Sequence, residues 1–307
     1  MRNAALTYGA DFFDDTLAIT CIESALLGYM RTLNMPYESL YCHSYIDLNT
    51  TVTDFLSSDY NYTNYKILPR LQETASLLQL MQTNIKSMSY DSMIIELQTS
   101  ATQCIPLLLE VDPSCIALPN HELPWREDHF IFVYCIQDSE VLFLDNYPAR
   151  QGSISISNLK DAYSGAVGHF FIVNLLNINN YRNICLNAII NICNVEVSSC
   201  FCRNTYILSD LLSLRDAVGI LRISRRRISR WLEWLKQQKI FIFKESVQNH
   251  LLEAIIAIDR LYSVIEYCRT KKVIKSDLIS TMFQEIYQSE KQWIEQLGRE
   301  NHVERLE

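Results

Sequence analysis

Three residues that lie far apart in the sequence, Cys21, His129 and Asp145, could together carry out nucleophilic chemistry. A histidine beside a thiol can take its proton as a general base, and a carboxylate beside the histidine orients the ring and stabilises its charge. His129 and Asp145 lie near the two ends of one stretch, HFIFVYCIQDSEVLFLDNYP at 129–148. If this stretch folds back on itself, the imidazole meets the carboxylate, and the nucleophile must come from elsewhere in the chain.

The stretch 129–148 predicts an antiparallel hairpin. Its two runs, HFIFVYCI and EVLFLDN, are dense in aromatic and β-branched residues, which fit a pleated, half-buried surface. A short polar turn at Gln137-Asp138-Ser139 separates them, although it lacks the Asn-Gly or Asp-Gly pair that is typical of tight hairpins.

Cys21 is predicted to begin an amphipathic helix. Thr20 is a suitable N-cap, Glu23 lies in the first turn, and Pro36 follows the predicted end of the helix. The unpaired backbone N–H groups and the positive dipole at a helix start favour negative charge on a sulfur placed there. The alternative is that Cys21 is a structural cysteine at a buried helix start.

The rest of the chain divides into a mixed part and a helical part. Helical spacing is seen at 71–97, strands are predicted at 104–111 and 169–176, and Ser157 is predicted to cap a short helix after the strand-like SISI. The long connection at 112–128 leads into His129 and is expected to be functional. Residues 178–307 contain no proline and repeat helical spacing. We therefore predict two domains, 1–177 and 178–307, the second a helical bundle packed on the first.

Composition and charge limit the classes of protein. The chain has 307 residues, 49% of them hydrophobic, and a formal net charge of −8, which disfavours nucleic acid as the main partner. Residues 1–15 turn acidic where a signal peptide would be apolar, and no apolar run approaches the roughly 18 residues of a membrane span. The ten cysteines are interpreted as reduced thiols, so a cytoplasmic location is expected.

The order of a cysteine at a helix start, a histidine opening one strand and an aspartate closing the next is that of papain-like enzymes. More specifically, residues 14–164 resemble the N-terminal domain of the butirosin-biosynthesis protein H family, which is itself similar to C39-type peptidases. The resemblance lies in four segments: CIESALLGYMRTLNMP, LLLEVDPSCIALPNHELPW, DHFIFVYCIQDSEVLFLDNYP and SISNLKDAYSG. It implies an α+β fold, with a papain-like, C39-like core built on an antiparallel sheet and an α-helical C-terminal domain.

The resemblance also implies acyl transfer in antibiotic biosynthesis. Family members move an acyl group from a carrier-protein thioester onto an amine, and a similar papain-like enzyme forms amide bonds in the closthioamide pathway. Here Cys21 would accept the acyl group, with His129 as general base and Asp145 orienting it. No cofactor would be bound. The expected partners are an acyl or peptidyl carrier protein, which presents its phosphopantetheine thioester, and a small-molecule amine, with a homodimer as one candidate assembly.

The resemblance leaves the oxyanion donor open. The Cys21 backbone N–H would be one donor. C39-type peptidases place a glutamine six residues before the cysteine, whereas this chain has Asp15, which could donate only when protonated. Two other departures concern the pocket: Ile22 replaces a small residue, and Tyr134-Cys135 stands where Gly-Tyr is frequent.

Other functions fit the same three residues. A peptidase or thioesterase would use the same triad with water as the acceptor. A binding protein that has lost catalysis would have an unreactive Cys21.

Other cysteines and histidines offer weaker sites. Cys42 and His43 are adjacent, but neighbouring side chains diverge in any regular element. His121 could border the active site, and His169 opens an apolar run as a core or edge residue. Four further cysteines lack C-x-x-C spacing and a nearby histidine, so no metal site is predicted for Cys185, Cys193, Cys200 and Cys202.

The segment 215–244 is locally basic within an acidic chain. Its central arginines are Arg222, Arg225, Arg226, Arg227 and Arg230. One hypothesis is a docking face for an acidic carrier protein or its phosphopantetheine. Another is an amphipathic helix with solvated charges, on which Ile228, Trp231 and Leu235 pack at helical spacing. A third is the recognition helix of a DNA-binding regulator, which the overall acidity disfavours.

Overall fold

A computed structural model describes residues 10–13, 17–58, 65, 67–116, 129–146, 149–173, 178–195 and 211–304. It is a mixed α+β structure with a six-stranded antiparallel sheet and a helical C-terminal region. The chain forms two compact units. The first contains Met1–Tyr37 and Leu71–Leu176, and the second contains Glu38–Arg70 and Asn177–Glu307. Residues 38–70 therefore group with the helical part, whereas the predicted boundary placed them with the sheet.

The helices and strands follow one another in a simple order. In chain order they are a 3₁₀ turn Ala10–Phe13, α1 Cys21–Thr32, a 3₁₀ turn Tyr37–His43, α2 Leu48–Ser57, α3 Leu71–Leu77, β1 Met81–Ser87, α4 Tyr90–Gln103, β2 Leu107–Val111, α5 Pro113–Ile116, β3 His129–Gln137, β4 Glu140–Asn146, β5 Ala149–Ser155, α6 Ile156–Ala162, β6 Tyr163–Ile172, α7 Ile178–Cys193, α8 Leu211–Gln237, α9 Glu245–Lys271 and α10 Ser276–Glu304. The strand order in the sheet is β1-β6-β2-β3-β4-β5.

The predicted hairpin is present as β3 and β4. Gln137 pairs with Glu140, so the turn is one residue shorter than predicted and consists of Asp138 and Ser139. Both turn residues have positive φ, 49° and 68°, as a type I′ turn requires. This turn matches the twist of the two strands, which brings the start of β3 close to the end of β4.

The sheet is covered on both faces. Leu107 and Leu109 of β2 and Ile131 of β3 share one core cluster with residues of α4 and α6. The next residue along β3, Phe132, packs its ring against the rings of Phe12 and Tyr29 on the other face. Because successive strand residues point to opposite faces, β2 and β3 are apolar on both sides. The two strands therefore form a rigid centre beside α1.

Three local predictions differ from the structure. The helix predicted over 71–97 is wrong at 81–87, where β1 pairs along β6 as an edge strand. Cys104 is not in a strand, because it ends α4 in the left-handed region with φ 56°. The cap of α6 is Ser155 rather than Ser157, and its hydroxyl accepts a hydrogen bond from the Asn158 N–H at 3.2 Å.

The second unit is a helical assembly around two buried tryptophans. Trp231 and Trp293 are both fully buried, and Ile228 and Leu235 pack beside Trp231 on the predicted face of α8. The Trp231 indole N–H donates to the Tyr181 hydroxyl at 2.9 Å, and that hydroxyl donates to the Ser39 carbonyl at 2.9 Å. This chain of hydrogen bonds explains why residues 38–70 belong with the helices. No helix within the described ranges is long and apolar enough to cross a membrane.

Candidate active site

His129 and Asp145 form a buried hydrogen-bonded pair in the first unit. The distance from His129 Nε2 to Asp145 Oδ1 is 2.8 Å, and the two residues are only 6% and 2% exposed. His129 begins β3 and Asp145 lies near the end of β4, so the hairpin register sets their separation. The sequence prediction that these two ends meet is confirmed.

Cys21 lies at the same place, at the first residue of α1. The Phe130 backbone N–H donates to Cys21 Sγ at 3.4 Å, which places the sulfur beside the residue that follows His129, and Cys21 contributes to the raised pKa of His129. Because Asp145 occupies Nε2, the ring nitrogen that serves Cys21 is Nδ1. The fold therefore brings Cys21, His129 and Asp145 together in the predicted order. Cys21 as a residue is half-buried.

The surroundings of His129 favour its charged form. Burial alone would lower the pKa of His129, but hydrogen bonding of the ring to Asp145 and Cys21 and the negative charges of these two groups outweigh it and raise the pKa from 6.5 to about 9. The ring is therefore protonated at neutral pH. A positive ring beside the sulfur, together with the Phe130 N–H and the start of α1, stabilises negative charge on Cys21.

The start of α1 is fixed by two capping side chains. The Thr20 hydroxyl accepts from the Glu23 N–H at 3.2 Å, as predicted for an N-cap. Glu23 is fully buried, and its two carboxylate oxygens accept from the Ile19 N–H at 2.6 Å and the Leu71 N–H at 2.9 Å. Glu23 therefore ties the helix that carries the nucleophile to the start of α3. The sequence signal for this role is the Thr-x-x-Glu capping pattern.

The 3₁₀ turn before Cys21 is held against α1 as well. Arg31 Nη2 donates to the Phe12 carbonyl at 2.5 Å, and Phe12 lies directly on Gly28. A Cβ built on Gly28 would lie 2.6 Å from both the ring and the carbonyl oxygen of Phe12. Only glycine therefore allows the turn to approach this closely.

One donor for an oxyanion is visible at the helix start. Cys21 is the first residue of α1, where a backbone N–H has no acceptor within the helix, so this N–H can donate to a negative oxygen formed beside the sulfur. Asp15, the second expected donor, lies outside the described residues.

A fourth residue, Arg150, contacts the site and was not found from the sequence. Its Nε and Nη2 atoms both lie 3.3 Å from Asp145 Oδ2. Arg150 follows the hairpin, and its position becomes informative only once β5 is known to pair with β4.

The alternative cysteines are poorly suited to nucleophilic chemistry. Burial raises the pKa of Cys42 and of Cys185 to about 12 and that of Cys193 to about 11, which keeps these thiols protonated. Cys200, Cys202 and His121 lie outside the described residues. His169 pairs with Glu96 at 3.2 Å on the sheet. Across the described part of the chain, no three His, Cys, Asp or Glu residues lie close enough to hold a metal ion.

Two of the five arginines predicted to form a docking face are buried in the second unit. Arg225 and Arg227 are completely buried, which excludes them from contact with a carrier protein. Arg225 pairs with Glu290 at 2.7 Å and lies over the Tyr45 ring, so it is an internal residue of the second unit. Arg225 and Arg227 lie on the buried side of α8, so they face the interior of the second unit.

The other three of the five central arginines lie nearer to the surface. Arg222 and Arg226 share Asp259, at 2.6 and 2.8 Å. Arg230 is exposed, and its contact with a partner stays a prediction.

Comparison with known proteins adds little. No family model matches the chain, and no curated protein matches it. Among solved structures, it is similar to a periplasmic domain of the EpsAB fusion protein of the Vibrio vulnificus type II secretion system, at 12% identity with a TM-score of 0.22. The similarity covers 36% of this chain and 37% of that one, and it carries no argument about fold or function.

Proposed function

We propose that the protein is a papain-like cysteine acyltransferase that forms an acyl-enzyme on Cys21 and passes the acyl group to an amine. The observation that supports it most is the buried His129–Asp145 pair at 2.8 Å, with the Cys21 sulfur held by the backbone N–H of the neighbouring residue Phe130 at 3.4 Å. The donor, a carrier-protein thioester, and the antibiotic pathway are proposed from the resemblance to the butirosin-biosynthesis protein H family. The papain-like nature of the core is proposed from the same resemblance.

The first half-reaction uses the charged pair. The Cys21 thiolate attacks the thioester carbonyl, and the negative oxygen that develops accepts a hydrogen bond from the Cys21 backbone N–H. The carbon–sulfur bond to the donor then breaks, and the His129 imidazolium gives its proton to the departing phosphopantetheine thiolate. The products are the Cys21 acyl-enzyme, a free carrier thiol and a neutral His129.

The second half-reaction reverses these roles. The amine attacks the acyl-enzyme carbonyl while neutral His129 takes its proton, and the Cys21 thiolate leaves. This step regenerates the imidazolium beside the thiolate and releases an amide. Asp145 keeps the Nδ1 face of the ring toward Cys21 throughout. Water in place of the amine would give hydrolysis with the same residues.

The test is intact-mass spectrometry after mixing the protein with an acyl-loaded carrier protein. We expect the protein to gain the mass of the acyl group and to lose it on addition of an amine acceptor. Cys21→Ala should show no gain, whereas Cys42→Ala should behave as the natural chain, since Cys42 is buried outside the site. Absence of any gain with the natural chain would contradict the proposal. Loss of the acyl group to water at the same rate with and without amines would favour a thioesterase.

A further inference from the structure

Arg150 is placed to control the carboxylate of the site. It lies on β5 directly opposite Asp145 on β4, so the two side chains share one face of the sheet. Its Nε and Nη2 each lie 3.3 Å from Oδ2, while Oδ1 of the same carboxylate accepts from His129 at 2.8 Å. Each carboxylate oxygen thus has its own partner, and rotation of the Asp145 side chain would break both contacts.

The guanidinium is itself held in place. Arg150 Nη2 also donates to the carbonyl of Ile116, the last residue of α5. The guanidinium carbon lies 5.8 Å from the centre of the Phe143 ring, and Phe143 is opposite Gly152 in the sheet. A Cβ on Gly152 would lie 2.5 Å from that ring, so the glycine makes room for it. The strand register, the glycine and the ring therefore support an Arg150 side chain that is only 17% exposed.

We propose that Arg150 is a positioning residue, which fixes Oδ2 of Asp145 so that Oδ1 faces His129. An effect of Arg150 on turnover rests on the proposed function, whereas its effect on the pKa of His129 does not. The planar guanidinium fork is suited to this task because it offers several donors in a fixed geometry. A lysine offers a point charge and cannot hold the carboxylate and the Ile116 carbonyl in the same way.

Positioning and simple charge predict opposite effects on His129. If Arg150 acted only as a nearby positive charge, its removal would raise the pKa of His129, because a repelling charge is lost. If Arg150 holds Asp145, its removal weakens the hydrogen bond to His129 and lowers that pKa. The charged groups at the ring are Asp145, Cys21 and, through Asp145, Arg150 itself.

The experiment compares Arg150→Met and Arg150→Lys with the natural chain. The readouts are the pH titration of the His129 ring by NMR and the rate of Cys21 alkylation by iodoacetamide at neutral pH. Arg222→Met is the matched control, since it also removes a partly buried arginine paired with a carboxylate, in the other unit. Denaturant unfolding of each variant checks that the fold is kept, and Arg150→Lys carries the test if Arg150→Met does not fold.

We expect both Arg150 variants to lower the pKa of His129 and to slow alkylation by about tenfold, the lower end of what outer partners of ligand histidines contribute. Arg222→Met should leave both readouts unchanged. A raised or unaltered His129 titration in Arg150→Met, or full restoration by lysine, would overturn the proposal. These readouts need no acyl donor, so the positioning role can stand even if no acyl-enzyme forms. Equally, an acyl-enzyme together with an unaltered titration would overturn the positioning role alone.

Discussion

His129 carries a proton in the folded chain that it would release near neutral pH in an unfolded one. Its pKa is about 9 rather than 6.5, because Asp145 and Cys21 overcome the effect of burial. A raised folded-state pKa means that the folded chain binds the proton more tightly than the unfolded chain. This contribution to stability is fully present below about pH 6.5 and is lost as the pH rises through about 9.

We therefore expect the free energy of unfolding of the natural chain, relative to His129→Gln, to fall across that interval. Denaturant titrations of both chains at a series of pH values measure it. A constant difference across the interval would show that the ring is not held protonated by the fold.

At the residue scale, the sequence identified the nucleophile, the base and the carboxylate of the triad. It missed Arg150, which acts through Asp145. Cys21, His129 and Asp145 could be predicted because their residue types and their positions at element ends indicate a triad. Arg150 could not, since its role depends on which carboxylate lies opposite it, and for Glu23 the sequence indicated the helix start but not the contact with Leu71. Strand register places Arg150 beside Asp145, and the approach of Leu71 gives Glu23 its second partner.

Helix α1 offers a prediction at the scale of the element. Replacing a glycine inside a helix by alanine normally stabilises it by up to about 1 kcal/mol. Gly298→Ala should do so, because its Cβ would lie 3.7 Å from Cys193, an ordinary contact. Gly28→Ala should instead destabilise by about 1–3 kcal/mol, since it forces the Phe12 turn away from α1.

Denaturant unfolding of these two variants checks the prediction, with Cys21 alkylation as a second readout. We expect slower alkylation only in Gly28→Ala, whose turn leads toward the nucleophile. Equal stabilisation by both alanines would mean that Phe12 does not constrain the start of α1.

Elements with strong local signals were predicted well, and those set by tertiary pairing were not. The capping pattern before α1 and the aromatic runs of β3 and β4 are local, and all three elements are present. Strand β1 carries a sequence that also fits a helix, and its pairing with β6 decides the outcome. Pairing of this kind depends on residues 79 to 91 positions away, which local spacing does not report.

On the scale of the whole molecule, the second unit contains a fully buried ion pair. Arg225 and Glu290 are 0% and 1% exposed, and they lie 2.7 Å apart. Removing one partner leaves an uncompensated charge in the interior, so Glu290→Leu should destabilise by about 3–5 kcal/mol. Asp259→Asn, at a partly exposed pair, should cost less than about 1 kcal/mol.

The double variant Arg225→Met/Glu290→Leu separates the pair from its packing. Because well-packed apolar residues often replace a buried ion pair without loss, we expect it to recover most of the stability. Thermal or denaturant unfolding of the three variants measures this. A double variant as unstable as Glu290→Leu would indicate that the pair itself holds the helices.

The arginines of α8 show that a charge pattern in a sequence does not report burial. The run around Arg226 reads as a basic surface in sequence, yet two of its arginines are buried and two others are engaged in ion pairs with Asp259. Charge sign is visible in a sequence, whereas the buried side of a long helix depends on the helices packed against it. Residues 38–70 group with the helices for a similar reason, since packing between elements decides this grouping and the sequence does not show it.

The most direct measurement of the central claim is a competition among the cysteines of one chain. Substoichiometric iodoacetamide at neutral pH, followed by peptide mapping, ranks their reactivity, and the exposed Cys104 and Cys115 serve as internal controls for access. We expect half-buried Cys21 to be labelled before Cys104 and Cys115, and we expect this faster labelling to disappear in His129→Ala. Labelling of Cys104 or Cys115 ahead of Cys21, or a Cys21 rate that does not depend on His129, would contradict it.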